Sequence, residues 1–190
     1  MAPSLAYGNI LWLECTDSTN AELRRRMASL DNLSIVAAKS QTQGRGQGDH
    51  SWISAPGENL TFSIALKFDG LDIPVRDAAI INDILCPSIQ EFLSEEGVTS
   101  RVKQPNDIWV GDRKICGILI ENILKGNNLD FTIAGIGLNL NQTKWPAGLP
   151  NPVSLRELTG KRYPPEECLE RISALCKKNW EKFRPGATRQ

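Results

Sequence analysis

Apolar and polar positions divide the chain into short strands and a few helices. NILWLE (9–14) is a short apolar run that predicts a strand. After it, Leu23, Met27 and Leu30 recur at near-helical spacing, and Thr19 and Glu22 stand in capping-box register. SIVAAKS (34–40) reads as a buried strand. LTFSIAL (60–66) alternates Leu60, Phe62, Ile64 and Leu66 with small or polar residues, which predicts a half-buried strand. Residues 76–95 carry Ala79, Ile80, Ile84, Leu85, Ile89, Phe92 and Leu93 at helical spacing. Pro87 interrupts them, so a kink or two shorter helices are expected. RVK (101–103), IWV (108–110), KICGILIENI (114–123) and DFTIAGIGLNL (130–140) read as successive strands, with hairpin turns at Gly111-Asp112 and Gly126-Asn127-Asn128. Ser154 and Glu157 form a second capping-box pattern before a short helix. Residues 165–183 predict a closing helix with Leu169, Ile172, Leu175, Cys176, Trp180 and Phe183 on one side. Strands joined mostly by hairpins, with helices between some of them, indicate an α+β fold with a mixed sheet.

Composition narrows the class. The 190 residues suit one ordinary domain, and 41% hydrophobic with 23% charged is the balance of a soluble globular protein. Lys plus Arg equals Asp plus Glu, 22 each, which argues against the broad basic surface of a non-specific nucleic-acid binder. The cluster Arg24-Arg25-Arg26 reads as a solvated helix face. No run approaches the roughly 18 apolar residues of a membrane span, and the N-terminus lacks the cationic region of a secretory signal. Cys15, Cys86, Cys116, Cys168 and Cys176 are scattered without a CxxC, which fits reduced thiols and a cytoplasmic location. With one His and no Cys pair at ligand spacing, a structural zinc site is not expected. His50 and Ser51 are adjacent, and neighbours in sequence rarely face each other, so they do not make a hydrolase pair.

Three segments can carry chemistry. Ser18-Thr19-Asn20 lies at a strand-to-helix turn, where side chains and free helical N–H groups can face a ligand; simple capping is the plainer reading. Gln41 to His50 holds three glycines in five residues and almost nothing apolar. Glycine allows close backbone approach, Arg45 offers a planar fork of donors, and a backbone nest for an anion could form around Gly44-Arg45-Gly46-Gln47-Gly48. The segment is neither a P-loop nor a GxGxxG fingerprint. In Lys103-Gln104-Pro105-Asn106-Asp107, a lysine at a strand end can project its ammonium into a cleft and neutralise a carboxylate and a phosphate together. An ordinary tight turn with an exposed lysine would show the same pattern.

Taken together, these segments resemble the catalytic domain of biotin protein ligases. Ser18-Thr19-Asn20 is similar to the family's STN, and QTQGRGQGDHSW (41–52) to its GRGRxGR-x-W segment. KQPND (103–107) is similar to KWPND, KICGILIE (114–121) to KxxGILxE, and GIGLNLN (135–141) to GIGxNxN. The motifs follow the family's order along nearly the whole chain. The resemblance implies a mixed sheet with helices mainly on one face, like the class II aminoacyl-tRNA synthetase core. It also implies a two-step reaction. Biotin is activated by ATP, with Mg²⁺, to biotinyl-5′-AMP and pyrophosphate, and is then transferred to a lysine of a carrier domain. That carrier would be the biotin carboxyl carrier protein of acetyl-CoA carboxylase or another biotin-dependent carboxylase.

Carried over residue by residue, biotin contacts fall on Ser18, Thr19, Asn20, Gln41, Arg45, Gly46, Gln47, Lys103 and Gly117. Nucleotide contacts fall on Arg45, Lys103 and Asn139. Lys103 and Arg45 are the residues expected to act in catalysis, and the metal ligands stay open. Trp52 and Trp109 are expected to serve as apolar walls or core rather than in the chemistry. Many relatives dimerise through the sheet edge, which leaves a homodimer open.

The chain departs from the family pattern at Gln47, which replaces the second arginine of GRGR, and at Gly48-Asp49-His50, which replaces the arginine-rich continuation. Exposed charges contribute about 1 kcal/mol each, so weaker retention of an adenylate is expected. Gln104 replaces the tryptophan of KWPND. The domain is expected over 1–185 with a frayed tail at 186–190. Neither the DNA-binding winged helix nor the C-terminal β-barrel of the family is expected, and so no DNA partner. The alternatives are a lipoate or octanoate ligase of the same fold, and a non-catalytic or truncated biotin-binding protein. A mono-acyl chain would give Arg45 and Gln41 no ureido group to bind.

Overall fold

The computed structural model describes residues 9–149 and 151–183; the tail expected at 186–190 lies outside them. The strands are β1 (Ile10–Thr16), β2 (Ile35–Gln41), β3 (Leu60–Lys67), β4 (Arg101–Lys103), β5 (Asp107–Val110), β6 (Arg113–Lys125) and β7 (Asn128–Leu138). The helices are α1 (Thr19–Arg26), α2 (Ile80–Glu95), α3 (Leu155–Thr159) and α4 (Pro165–Phe183). The seven strands are ordered β1-β2-β3-β7-β6-β5-β4. β1 and β2 run parallel, joined by the crossover through α1, whereas β2–β3, β3–β7, β4–β5 and β5–β6 are antiparallel. This is the mixed sheet of an α+β fold. The chain separates into two compact units, Met1–Ala78 with Ile118–Leu138 and Ala79–Gly117 with Asn139–Gln190, and β6 passes from the second into the first.

In the first unit, Leu23 of α1 packs with Val36, Ala65, Phe131 and Ile133, and Leu11, Leu13, Met27, Leu30 and Ile123 rim that cluster. β3 departs from the half-buried strand that its alternation predicts. It lies between β2 and β7, and every residue from Leu60 to Leu66 is buried. The face carrying Thr61 and Ser63 is covered too, and its hydroxyls are satisfied: Thr61 donates to the Ala38 carbonyl (2.8 Å), and Ser63 meets α1. A polar residue on a sheet face marks a solvent face only if nothing polar packs on it.

In the second unit, α2 is one continuous helix from Ile80 to Glu95 with Pro87 inside, not two shorter ones. Ile81, Ile84, Leu85, Cys86, Ile89, Phe92 and Leu93 keep one buried face through the proline, and the Ser88 hydroxyl donates to the Ile84 carbonyl at 2.7 Å. Burial of that face outweighs the single backbone bond that a proline removes. α4 lies against α2: Asn179 donates to Ser88 (2.9 Å), Lys178 pairs with Glu91, and Arg171 pairs with Glu95 and Glu96. The Arg171 guanidinium bonded to Glu96 holds that carboxyl below its ordinary value. α3 opens with the capping box that its spacing predicts and closes on Gly160 at φ 75°.

Candidate functional site

In the first unit, Ser18, Thr19, Asn20, Gln41 and Arg45 come together around the start of α1. Ser18 is the N-cap of α1, with extended backbone (φ −154°, ψ 137°), yet its hydroxyl makes no capping bond. The capping box expected from Thr19 and Glu22 does not form. Thr19 is already the first helical residue, and Glu22 is drawn away by Arg25 and Arg26 (2.6 Å to each). Those two guanidiniums, Arg25 first, hold the Glu22 carboxyl below its usual range. The end of the helix is satisfied from outside: Gln41, the last residue of β2, accepts the Thr19 N–H through Oε1 at 2.8 Å. Gln41 Nε2 is left as a donor.

A line of hydrogen bonds runs inward from Thr19. Ser63 Oγ lies 2.8 Å from Thr19 Oγ1 and 2.5 Å from Asn20 Oδ1, and Asn20 Nδ2 donates to Glu121 Oε2 at 3.0 Å. Thr19, Asn20 and Ser63 are all buried. An amide oxygen only accepts, so the one Ser63 proton goes to Asn20, and Ser63 in turn receives the Thr19 proton. Thr19 Oγ1 is left with lone pairs only. A ligand therefore meets an acceptor at Thr19 beside donors at Gln41 and Ser18, which is the complement of an edge carrying both N–H and C=O.

The floor beneath these side chains is made by glycines. Gly135 and Gly137, two apart on β7, face Ser63 and Thr61 across the ladder with β3. A Cβ at Gly135 would overlap Asn20, and one at Gly137 would overlap the Trp52 indole. Trp52 is thus a wall on that floor, as expected from sequence. It closes a tight hairpin: its N–H donates to Gly44 (3.0 Å), the Gly46 N–H to His50 (2.7 Å), and Arg45 bridges Ser51. A Cβ at Gly44 would overlap the Trp52 carbonyl, so this glycine serves close approach. From this hairpin Arg45 reaches Glu121 Oε1 at 3.1 Å, and Arg24 of α1 stands 3.6 Å from the same carboxylate. The side chains of Gln47, Asp49 and His50 are exposed, as is Gly48.

The remaining candidates belong to the second unit. Lys103 ends β4, and its ammonium lies 3.9 Å from the centroid of the Trp109 ring. That cation–π contact is of the kind that contributes about 0.5–1 kcal/mol at exposed sites. Trp109 thus supplies an aromatic surface under Lys103 in a chain where position 104 is glutamine. Asp107, at the other end of the turn, pairs with Lys114 at 2.8 Å. Gly117 follows the buried Cys116 on β6. Asn139 is buried, and its Nδ2 donates to the Lys114 (3.3 Å) and Val153 (3.1 Å) carbonyls while its backbone N–H bonds to Ile115. Its amide donors hold backbone, and only Oδ1 is left for a ligand.

Glu121, Ser63, Gly135 and Gly137 were not singled out as site residues from sequence. Signals for them existed: an acid inside an otherwise apolar strand at Glu121, and two glycines at strand period on one face of β7. Among the described residues no group of three or more His, Cys, Asp or Glu is placed to hold a metal ion, and no helix is long and apolar enough to cross a membrane.

Residues 12–139 match the model of the biotin/lipoate A/B protein ligase family. The chain is 31% identical over 136 residues, 72% of its length, to the bifunctional ligase/repressor BirA of Salmonella typhimurium, and spans 42% of that relative. It is 27% identical over 168 residues to the biotin–[acetyl-CoA-carboxylase] ligase of Paracoccus denitrificans, covering 83% of this chain and 67% of that one. Among solved structures, the biotin protein ligase of Aquifex aeolicus in complex with biotin and ATP superposes with a TM-score of 0.79 at 29% identity, covering 93% of this chain and 72% of that one. A family match over two thirds of the chain makes this protein a member of the biotin/lipoate A/B protein ligase family.

Proposed function

We propose that the chain is the catalytic portion of an ATP-dependent biotin–protein ligase, acting in the cytoplasm. It activates biotin as biotinyl-5′-AMP and passes it to a lysine of a carboxylase's biotin carboxyl carrier domain. The observation that carries this reading is the row of polar groups at the start of α1, an acceptor at Thr19 beside donors at Gln41 and Ser18. A cyclic urea presents an N–H donor beside a carbonyl on one edge, and that edge matches the row; a lipoyl or octanoyl chain has nothing to offer it. The relatives support the same chemistry, since the Aquifex aeolicus structure is a complex with biotin and ATP.

In this reading the biotin ring lies over the Gly135–Gly137 floor against Trp52. Arg45, Gly46 and Gln47 belong to the segment that lines the phosphate, and Gly117 allows the bicycle to approach the sheet. Lys103 neutralises the charge that builds up when the biotin carboxylate attacks the α-phosphate. Asn139 contributes its Oδ1 toward adenine. Attack of one anion on another needs cations and oriented N–H groups but no enzyme nucleophile. Mg²⁺ enters as part of the nucleotide substrate. The carrier lysine amine then attacks the mixed anhydride, forming an amide and releasing AMP. A homodimer remains part of the proposal as an assembly for this core.

The test is mass spectrometry for biotinyl-adenylate after incubation with biotin and Mg-ATP, with lipoate in parallel and Lys103→Ala as control. Adenylate from biotin alone, lost in the variant, is expected. Adenylate from lipoate and none from biotin would overturn the reading.

A further inference from the structure

Glu121 is the point on which the polar groups of the first unit converge, and no substrate role accounts for it. Its carboxylate meets Asn20 (3.0 Å), Arg45 (3.1 Å) and Arg24 (3.6 Å), drawing on the buried start of α1, the glycine-rich hairpin and the exposed face of α1. We propose that Glu121 is a positioning residue that sets ligand specificity by fixing the proton direction of the Thr19–Ser63–Asn20 relay. The inference rests on the biotin reading above and deepens it.

The argument follows from donor and acceptor chemistry. An Asn amide has two orientations of nearly the same shape, and the hydrogen-bond partners decide between them. A carboxylate accepts only, so the Asn20 amino group must face Glu121 and its oxygen must face Ser63. Ser63 then has to donate to Asn20, and Thr19 has to donate to Ser63. Every proton in the relay points away from the pocket. Thr19 therefore accepts from a ligand N–H and cannot donate to a ligand oxygen.

With glutamine at position 121 this direction is lost. One oxygen cannot serve both Asn20 and Arg45; if Arg45 takes it, the glutamine amino group faces Asn20, the Asn20 amide flips, and Ser63 and Thr19 reverse. A reversed Thr19 offers its proton to the ligand. The choice between a ureido N–H and an oxygen at the same place is thus made at Glu121, two side chains removed from the ligand-facing hydroxyl.

The experiment is titration calorimetry of the full chain with biotin and with the cyclic carbamate analogue in which the ureido N–H facing Thr19 is replaced by oxygen. The wild-type protein is expected to prefer biotin by about tenfold or more, the scale of one buried acceptor left facing another lone pair. In Glu121→Gln the preference is expected to fall several-fold toward one. Adding Asn20→Asp to that variant restores it, because a carboxylate in place of the Asn20 amide can only accept, and Ser63 must again donate to it. Ser63→Ala cuts the relay without touching the Glu121–Arg45 pair and is expected to lose the preference as well, which keeps the test open if Glu121→Gln folds poorly. A wild-type preference retained in both Glu121→Gln and Ser63→Ala, or not restored by Asn20→Asp, overturns the proposal. If the wild-type chain binds no biotin, the biotin reading fails. The relay is then judged by the Asn20 side-chain amide resonances in ¹⁵N–¹H spectra: a shift in Glu121→Gln supports it, and unchanged resonances overturn it.

Discussion

The helix starts of α1 and α3 carry the same local pattern, a hydroxyl residue followed three positions later by glutamate, and they use it in opposite ways. At α3 the box closes on itself: the Ser154 N–H donates to Glu157 at 2.9 Å, and the Glu157 N–H donates to Ser154 Oγ at 3.2 Å. At α1 neither half forms. Glu22 is held by Arg25 and Arg26, Thr19 by Ser63, and the Thr19 N–H by Gln41. Capping chemistry is consumed at α3, and it is displaced at α1, the helix end that faces the ligand in the proposed function. An N-cap hydroxyl that caps nothing is then a sign of function, since it forgoes about 1 kcal/mol of helix stability.

The sharpest way to break the α1 arrangement is Gly135→Ala. Its methyl group enters the space of Asn20, so biotin binding should fall by about a hundredfold and stability by about 1–3 kcal/mol. Calorimetry and a thermal melt would measure both, and normal binding would mean that Asn20 does not need that floor. Ser18→Ala and Ser154→Ala then test the comparison directly. For Ser18→Ala, biotin affinity should drop about tenfold with the melting temperature unchanged, because the hydroxyl makes no cap bond. For Ser154→Ala, about 1 kcal/mol of stability should be lost at unchanged biotin affinity. A melt lowered equally by both would show the two caps to be alike.

The smallest effect concerns acid. Burial pushes the Glu157 carboxyl up, but the Ser154 N–H, Arg113 and Trp145 outweigh it, and the net value lies below the ordinary 4.5. A carboxyl depressed in the folded state contributes stability that is present above the unfolded value and is lost as pH falls through the folded one. The melting difference between wild type and Glu157→Gln should therefore be largest above about pH 5 and shrink below about pH 4. A difference that stays constant down to about pH 3 would remove the carboxylate from the cap.

Much of the fold was legible because periodicity is a local property. The apolar spacing placed α4 over residues 165–183, and the structure forms it from Pro165 to Phe183. Alternation located β3, and glycine turns located the β5–β6 and β6–β7 hairpins. The misreadings share one cause. Pro87 allows two shorter helices in place of α2, Thr19 ought to cap α1, and Ser63 ought to face solvent, if each is judged by its neighbours in sequence. In each case a packed partner decided otherwise: the buried face of α2, the Gln41 and Ser63 contacts, and the start of α1 lying over β3.

By itself the sequence determined the order of elements, the neutral charge balance and the residue types able to bind a polar ring and a phosphate. Only the tertiary structure decided which of those groups are spent on one another. Glu121 joins Asn20 from a strand far along the chain, and Ser63 joins Thr19 because β3 passes beneath α1. Hydrogen-bond direction is a property of a closed set of partners. No single residue in that set reveals its donors and acceptors until the last acceptor, here a carboxylate, is in place.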